Sequence, residues 1–446
     1  MINSKMHPET KPQEISASAD VRSGPVALEA AFPQHALSLT SRAMHADDYI
    51  NNHRAVAPPM HVSTTYRYTD DPDKLTYWGN VDVQAHLAHA KENDQPNAPY
   101  DSHVYSRETA PNTTRLEAIL TSLLGGPSLS YGSGLAAFHA MLTMLNPRRI
   151  AIGGGYHGCH GVIRLMNRLT GVEQLTLAPE DLEKLQAGDV LHVETPLNPT
   201  GEARDLEHYA SIAKAKGAIL TVDATFAPPP LLEPFVFGTD IVMHSGTKYF
   251  GGHSDMLCGV LSINPQRKSE GWFEKLFEDR LFLGSVMGSM EGWLGVRSLR
   301  TLELRVQRQS STTDELVAWL ASATGPDPAS PLGGLLRRVQ HASLQPEAAD
   351  PNSWLRRQMP RGFGPVFSIY LDSEDHAKRL PGKLHLFHHA TSLGGVESLI
   401  EWRAMTDPNL DKALLRVSIG IEALEDLKAD FVQGFRALIE EDKTRS

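Results

Sequence analysis

Short apolar runs alternate with helix-like segments through the middle of the chain, from about residue 105 to residue 302. The runs are RRIAIG, DVLHVE, AILTVDA and TDIVMH, and polar residues or glycine follow each of them. Between two of these runs, LEHYASIAKAKG has helical spacing and ends in a glycine, which is a common helix stop. This alternation predicts an α/β fold with a doubly wound, mostly parallel sheet.

Polar stretches divide the rest of the chain. Residues 1–36 are rich in Pro, Ser, Ala and charge, and we expect a mobile tail there. Residues 68–103 are predicted to form a long loop, with one helical turn around VDVQAHLAHAKE. A further break, TGPDPASPLGG at residues 324–334, lies in a C-terminal region with its own helices and strands. We therefore predict a tail and arm over 1–103, an α/β domain over 104–302 and a smaller α+β domain over 303–446.

The composition narrows the class of protein. The chain has 446 residues, of which 41% are hydrophobic and 21% charged, and a length of this kind favours more than one domain. Its net charge of −11 and the absence of a long basic run argue against a nucleic-acid partner. Two cysteines fit a reducing compartment, and no apolar stretch is long enough to span a bilayer. We predict a soluble, cytoplasmic protein with no membrane partner.

Several residues with chemical potential follow the ends of the predicted strands. In open α/β sheets, ligands bind beyond the carboxyl ends of the strands, so side chains there are expected to meet in one crevice. GGGYHG follows the first run, Glu194 and TPLNPTG follow the second, Asp223 ends the third, and HSGTK follows the fourth. The expected crevice thus contains acids, an amide, hydroxyls, an aromatic ring and a lysine.

One glycine pattern suggests a different cofactor. Gly153, Gly155 and Gly158 match the G-x-G-x-x-G dinucleotide motif, and Glu173 lies where a ribose-binding acid is expected. A tyrosine and a histidine inside the motif would crowd a tight phosphate turn, and 35 glycines make a chance match easy. A nicotinamide-dependent dehydrogenase is therefore a distant alternative.

The residues around Lys248 indicate a cofactor with an aldehyde. A lysine held away from water can form a Schiff base, whereas most lysines at strand ends are simply solvated. Ser245 and Thr247 could donate hydrogen bonds to a phosphate, and Asp223 could pair with a pyridinium nitrogen. Together these residues suggest pyridoxal 5'-phosphate (PLP).

We expect no metal site, because His157, Cys159 and His160 are too close for zinc, and His385, His388 and His389 suggest a solvated helix face.

The chain resembles the Cys/Met-metabolism family of PLP enzymes, which includes cystathionine γ-synthase and the cystathionine and methionine γ-lyases. The resemblance extends from about Ser41 to the C-terminus in the family's order. It is carried by VYSRETAPNTTRLE, YGSGLAAF, GGYHGCHG, ETPLNPTG, VDATFAPP, HSGTKYFGGHSD, RSLRTLELR, SLGGVESLI and LLRVSIGIE. It implies the fold type I architecture of PLP-dependent transferases, resembling aspartate aminotransferase, and homodimers with shared active sites that commonly form homotetramers.

The resemblance also implies residue roles. Lys248 would be the Schiff-base lysine and Asp223 the partner of the pyridine nitrogen. The phosphate would be bound by Ser245, Thr247, the amides of Gly134 and Leu135, and Tyr105 and Arg107 of the partner subunit. Asn198 would bond near the ring oxygen, and Tyr156 would stack on the ring and help move protons. Arg416 would bind the substrate α-carboxylate beside the Ser392 backbone, with Thr391 facing the distal end of the substrate.

Departures from the family pattern concern the second substrate. Thr391 stands where many members have a glutamate, and Trp402, Arg403 and Ala404 replace a usual HPA. The resemblance implies γ-replacement on an O-acylated L-homoserine through a vinylglycine intermediate, with a thiol or a carbon nucleophile. The alternative is γ-elimination from cystathionine or methionine, which gives a 2-oxo acid and ammonia. A non-catalytic family member would have no need of Lys248, Asp223 and Tyr156 together.

Overall fold

The computed structural model describes residues 36–50, 55–68, 72–74 and 103–445. Nearly all of the predicted tail (1–36) and most of the predicted loop (68–103), with its helical turn, lie outside these residues. Within them, the helices are α1 Leu39–His45, α2 Pro111–Leu124, α3 Gly134–Leu145, α4 His157–Thr170, α5 Pro179–Leu182, α6 Leu206–Lys216, α7 Trp272–Leu283, α8 Ser289–Leu299, α9 Leu302–Ser322, α10 Trp354–Gln358, α11 Glu374–Arg379 and α12 Leu424–Arg445.

The first sheet confirms the predicted doubly wound α/β architecture. Its strands are β1 Ser128–Tyr131, β2 Arg149–Ile152, β3 Glu173–Leu175, β4 Val190–Glu194, β5 Ile219–Asp223, β6 Ile241–His244 and β7 Gly259–Ile263. Their order is β1-β7-β6-β5-β4-β2-β3. The pairs from β6 through β3 are parallel, whereas β7 runs antiparallel to both β6 and β1. The four strands predicted from the apolar runs are β2, β4, β5 and β6.

Both faces of this sheet are buried against helices. Along β6, Ile241 and Met243 belong to one hydrophobic cluster and Val242 to another, because successive side chains of a strand point to opposite faces. Helices α3, α4 and α7 pack in the first cluster, and α2, α6 and α8 pack in the second. Burial on both faces explains why the strands read as continuous apolar runs.

The boundaries of α6 follow from its sequence. Asp205 caps the start, where its side chain accepts a hydrogen bond from the His208 amide. Gly217 ends the helix at φ 65°, a left-handed conformation that glycine adopts without a steric penalty. The helix predicted for LEHYASIAKAKG is confirmed.

A second, smaller sheet forms in the C-terminal region. Its strands are β8 Leu336–Gln340, β9 Val366–Leu371, β10 Phe387–His389, β11 Ser398–Trp402 and β12 Leu414–Ser418, in the order β10-β11-β12-β9-β8. β10 and β11 are parallel, and the other neighbours are antiparallel. His388 and His389 therefore lie on a strand, and the prediction that they share a helix face is wrong.

Helix α9 belongs to the cores of both sheets. Leu302 and Val306, in its first half, pack in the cluster under the first sheet. Leu316 and Leu320, in its second half, pack in the cluster of the smaller sheet. The proposed division of the chain into 104–302 and 303–446 places the start of this helix at the boundary. Among the described residues, no helix is both long and apolar enough to cross a membrane.

Candidate active site

Lys248 lies in the turn after β6, at the predicted edge of the sheet. Its side chain is largely withdrawn from solvent, and its Nζ donates a hydrogen bond to Ser392 Oγ at 2.6 Å. Burial, followed by the positive charge of Arg416, lowers the pKa of Lys248 to about 8. An amine with this pKa has a substantial neutral fraction near neutral pH, and the neutral form is the nucleophile.

Two acids lie side by side at the ends of β4 and β5. Glu194 and Asp223 are register partners in the parallel pair. Asp223 Oδ1 accepts hydrogen bonds from the Thr225 amide at 2.9 Å and the Thr225 hydroxyl at 2.5 Å. Burial raises the pKa of Asp223, and burial together with the charge of Asp223 raises the pKa of Glu194 to about 8.

Glu194 organises the residues on either side of it. Its two carboxylate oxygens accept hydrogen bonds from the amides of Tyr156 at 2.8 Å and Asn198 at 2.6 Å. Gly155 has φ 140°, and a Cβ there would collide with the Glu194 carboxylate. A side chain at Gly158 would in the same way collide with the Tyr156 ring. These two glycines therefore make room for an acid and an aromatic ring.

That packing does not suit a dinucleotide. The turn with the G-x-G-x-x-G spacing holds the Glu194 carboxylate, which would repel a pyrophosphate. Glu173, the expected ribose-binding acid, is instead exposed and forms an ion pair with Arg149 at 3.1 Å. The geometry thus provides no support for the dehydrogenase alternative.

An anion-binding cradle forms where α3 begins. Ser133 caps this helix by accepting a hydrogen bond from the Ala136 amide, so the amides of Gly134 and Leu135 have no partner within the helix. Ser245 lies directly beside them, since a Cβ on Gly134 would be 3.2 Å from Ser245 Oγ. Two amides without a partner in the helix, a hydroxyl and the positive end of the helix dipole thus lie together at the start of α3. The Thr247 hydroxyl, nearby, is held by the backbone of Cys258.

The smaller sheet contributes a cluster of buried charges. Arg416 on β12 and Glu401 on β11 are register partners and form an ion pair. Arg416 also donates to Asn198 Oδ1 at 3.1 Å and to the Ser392 carbonyl at 2.8 Å. Arg403, just after β11, pairs with Glu401 at 3.1 Å. Ser392, with φ 77°, thus contacts both Lys248 and Arg416.

The remaining predicted residues, Thr391, Tyr105 and Arg107, are exposed to solvent. Thr391 is exposed and lines a cavity of about 830 Å³, together with Thr247, Ser392 and residues that include Asp255, Glu291 and Glu397. Tyr105 and Arg107 are exposed on the segment before α2, where Tyr105 pairs with Thr65. The Arg107 guanidinium lies over the Tyr105 ring, at 5.3 Å from its centre.

The site has the features that PLP requires. Asp223 is a buried carboxylate that forms no ion pair within the described part of the chain, which suits a pyridinium cation. The cradle at Gly134, Leu135 and Ser245 suits a phosphate, and the withdrawn amine of Lys248 suits an aldehyde. Three residues of the site have no predicted role, namely Glu194, Glu401 and Arg403, of which Arg403 was noted only as a departure from the family pattern. Glu194 was visible only as an acid at a strand end, and the sequence offered no signal for Glu401.

Comparisons with known proteins agree with this geometry. Residues 40–436 match the family described as Cys/Met metabolism PLP-dependent enzyme. Cystathionine γ-lyase of Bacillus subtilis is 33% identical over 360 residues, covering 76% of this chain and 90% of the relative. Cystathionine γ-synthase of Escherichia coli is 32% identical over 407 residues, covering 86% of this chain and 93% of the relative.

Solved structures show the same fold. The structure of metB from Corynebacterium glutamicum superposes with a TM-score of 0.75 at 27% identity, covering 90% of this chain and 98% of that one. Cystathionine γ-synthase of Xanthomonas oryzae, solved in complex with aminoacrylate and cysteine, gives 0.74 at 25% identity with the same coverage. The expectations for fold, enzyme class and cofactor are confirmed. The chain belongs to the Cys/Met metabolism PLP-dependent enzymes.

Proposed function

We propose that this enzyme catalyses γ-replacement on an O-acylated L-homoserine, as a cystathionine γ-synthase-like transferase with a thiol or a carbon nucleophile. The observation that carries the proposal is the position of Ser392, whose hydroxyl contacts Lys248 and whose carbonyl contacts Arg416. An amino acid whose carboxylate binds Arg416 would therefore have its α-carbon near the amine of Lys248. The relatives named cystathionine γ-synthase support this class of reaction.

The cofactor would be held by residues at the edge of the first sheet. Lys248 would bind its aldehyde carbon, Asp223 its ring nitrogen, and Asn198 a position near its ring oxygen. Gly134, Leu135, Ser245 and Thr247 would surround its phosphate, and Tyr156 would stack on its ring. When bound, PLP acts as an electron sink that stabilises negative charge on substrate carbon.

The protein's own residues would bind the substrate and move its protons. Arg416 would bind the α-carboxylate with a planar fork of donors, which fixes the orientation of the α-carbon. The Lys248 amine, once released, would take the α-proton, since a pKa near 8 lets it act as a base near neutral pH. After passing that proton on, the amine would take a proton from the β-carbon with help from Tyr156. The electron pair left on the β-carbon would expel the acyloxy group from the γ-carbon as a carboxylate, and the nucleophile could then add at the γ-carbon.

We further propose that the active site is shared between subunits. The exposed Tyr105 and Arg107 would reach the phosphate of a neighbouring subunit, and the enzyme would be a homodimer that assembles into a homotetramer. Their exposure and mutual stacking support this role, because an arginine at a protein surface keeps its five donors available for a phosphate.

A second candidate is γ-elimination from cystathionine or methionine. Relatives named cystathionine γ-lyase support it, and elimination would use the same lysine, tyrosine and arginine. Thr391 weighs against a dedicated cystathionine lyase, because an uncharged side chain offers no ion pair to the distal ammonium group of cystathionine.

The deciding experiment compares products. The PLP-loaded enzyme is supplied with O-acetyl-L-homoserine, with and without cysteine, and cystathionine and 2-oxobutanoate are quantified. We expect cysteine to divert most of the product into cystathionine. Faster release of 2-oxobutanoate from cystathionine than from the homoserine ester would instead establish the lyase. The Lys248→Ala variant is the control, and we expect it to lose both activities by about 10⁴-fold or more.

A further inference from the structure

Glu401 is shared by two arginines in the carboxylate-binding part of the site. The relative exposures of Glu401, Arg403 and Arg416 are 2%, 4% and 5%, so water screens these charges little. One Glu401 oxygen pairs with Arg416 and the other with Arg403. The cluster therefore holds two guanidinium groups and one carboxylate, which leaves one positive charge for a ligand.

Arg403 has an incomplete contact with Glu401. An arginine fork binds a carboxylate best through two parallel N–H bonds. Arg403 Nη1 makes one such bond, while Arg403 Nε is buried and has no hydrogen-bond partner among the described residues. The Nε–H points away from Nη1, so a two-bond contact with Glu401 that keeps Nη1 has to use Nη2 as its second donor.

Arg416 Nη2 already has two acceptors, the Ser392 carbonyl and Glu401, and both two-bond forks of an arginine include Nη2. Its guanidinium donates to Asn198, to the Ser392 carbonyl and to Glu401. A second carboxylate at Arg416 would compete with Glu401 for donors and would be repelled by its charge. An arriving α-carboxylate therefore requires Glu401 to move or to be neutralised.

We propose that Arg403 is a positioning residue that takes over the Glu401 carboxylate when the α-carboxylate of an amino acid binds Arg416. Glu401 would then bind the two terminal nitrogens of Arg403, Nη1 and Nη2, and the donors of Arg416 would turn to the substrate. This exchange deepens the proposed function, since it rests on the placement of the α-carboxylate at Arg416. Arg403 also lowers the pKa of Arg416 and Lys248 by its charge, which agrees with its proximity to both.

The test measures binding of L-norvaline, an amino acid with no γ-leaving group, to the PLP-loaded enzyme by titration calorimetry. We expect Arg403→Gln to weaken L-norvaline binding at least about tenfold, because Glu401 then stays on Arg416. The double variant Arg403→Gln/Glu401→Gln should recover an affinity within about threefold of the parent enzyme, because the competing carboxylate is gone. With the homoserine ester, Arg403→Gln should raise KM more than it lowers kcat.

Control ligands and variants distinguish the transfer of Glu401 from a general loss of protein stability. L-Norvalinamide, which lacks the carboxylate, should bind equally well to the parent enzyme and to Arg403→Gln. Arg280→Gln removes another buried arginine, one that pairs with Glu117, and should leave L-norvaline binding unchanged even where the melting temperature falls. Arg403→Lys keeps the charge but not the fork, so we expect an intermediate loss, and this variant decides the question if Arg403→Gln does not fold.

The outcomes also distinguish this proposal from the one on which it rests. Normal L-norvaline binding by Arg403→Gln, or equal weakening in the single and double variants, overturns the exchange. If Arg416→Gln binds L-norvaline like the parent enzyme, the placement of the α-carboxylate fails, and the exchange fails with it. If Arg416→Gln binds L-norvaline weakly while Arg403→Gln and Arg403→Lys bind it normally, the proposed transfer of Glu401 fails. The placement of the α-carboxylate at Arg416 then still stands.

Discussion

The two regions that meet at Ser392 manage their charges in opposite ways. At the ends of β4 and β5, Glu194 and Asp223 are neighbouring acids whose carboxylates accept hydrogen bonds from neutral donors. Where β11 pairs with β12, Glu401 lies between the cations Arg403 and Arg416. The first region thus holds two buried acids that form no ion pair among the described residues, and the second has an excess of positive charge.

This difference indicates what each region receives. A pair of buried acids is costly unless a cation arrives or a proton is retained, and the raised pKa values of Glu194 and Asp223 express that cost. A protonated pyridine ring next to Asp223 would lower this free-energy cost. A buried excess of guanidinium is relieved by an anion, such as an amino-acid carboxylate. The two halves of the site are therefore complementary to the two ends of a cofactor–amino-acid pair.

The largest expected effect comes from replacing one acid at a time by its amide. Asp223→Asn should lower kcat/KM about 10²–10³-fold, because a preorganised charge opposite the pyridine ring is lost. Glu194→Gln should cost about tenfold, since Glu194 is protonated below its pKa of about 8 and glutamine loses only one of the two amide contacts. Steady-state kinetics near pH 7 decide this, and equal losses would mean that the two acids share one role.

A smaller effect should appear in the pH dependence of cofactor uptake. Because the neutral amine of Lys248 attacks the aldehyde, the rate of recombination with PLP should rise about tenfold per pH unit below pH 8. It should level off above pH 8, where the amine is already neutral. Stopped-flow absorbance of the cofactor-free protein measures this rate.

Replacing Arg416 tests whether its positive charge sets the pH dependence of PLP recombination. Arg416 is one cause of the lowered pKa of Lys248, so Arg416→Gln should move the inflection to higher pH. A rate that keeps rising to about pH 10 in the parent enzyme, as for an ordinary lysine, would contradict the buried amine.

The smallest effect concerns substrate preference. Thr391→Glu adds a negative charge to the wall of the cavity beside Ser392 and should lower the KM for L-cystathionine two- to fivefold, roughly the value of an exposed ion pair. The KM for O-acetyl-L-homoserine should change less. Thr391→Gln is the matched control, and identical results for the two variants would show that charge at this position does not select the substrate.

The sequence predicted the first region better than the second, for a physical reason. Apolar runs identify parallel strands, and the ends of parallel strands meet at one edge, so Asp223 and Lys248 could be placed together without knowledge of the fold. Glu401 and Arg416 meet only because β11 and β12 are antiparallel in a particular register. Nothing local in SLIEW or LLRVS specifies that register.

Strand β1 was not among the strands predicted from the sequence, because polar residues interrupt its apolar pattern. β1 reads SLSY, and both of its serines are buried because their hydroxyls bond to the Gly126 carbonyl and to Glu117. Satisfied polar groups of this kind remove the hydrophobic period from which a strand is predicted. The prediction for His385, His388 and His389 failed because spacings of three and four residues are not specific to a helix. His385 lies before β10, and His388 and His389 are adjacent on it.

Helix α9 has a mechanical consequence. Its 21 residues form a rod of about 31 Å, with one half anchored in the core of each sheet. A hinge between the sheets would have to bend this rod or tear one half from its core. The distance between the Lys248 amine and Arg416, the proposed carboxylate-binding residue, is therefore set before any substrate arrives. A fixed distance of this kind suits the α-carbon and α-carboxylate that all α-amino acids share, so residues elsewhere in the site have to distinguish their side chains.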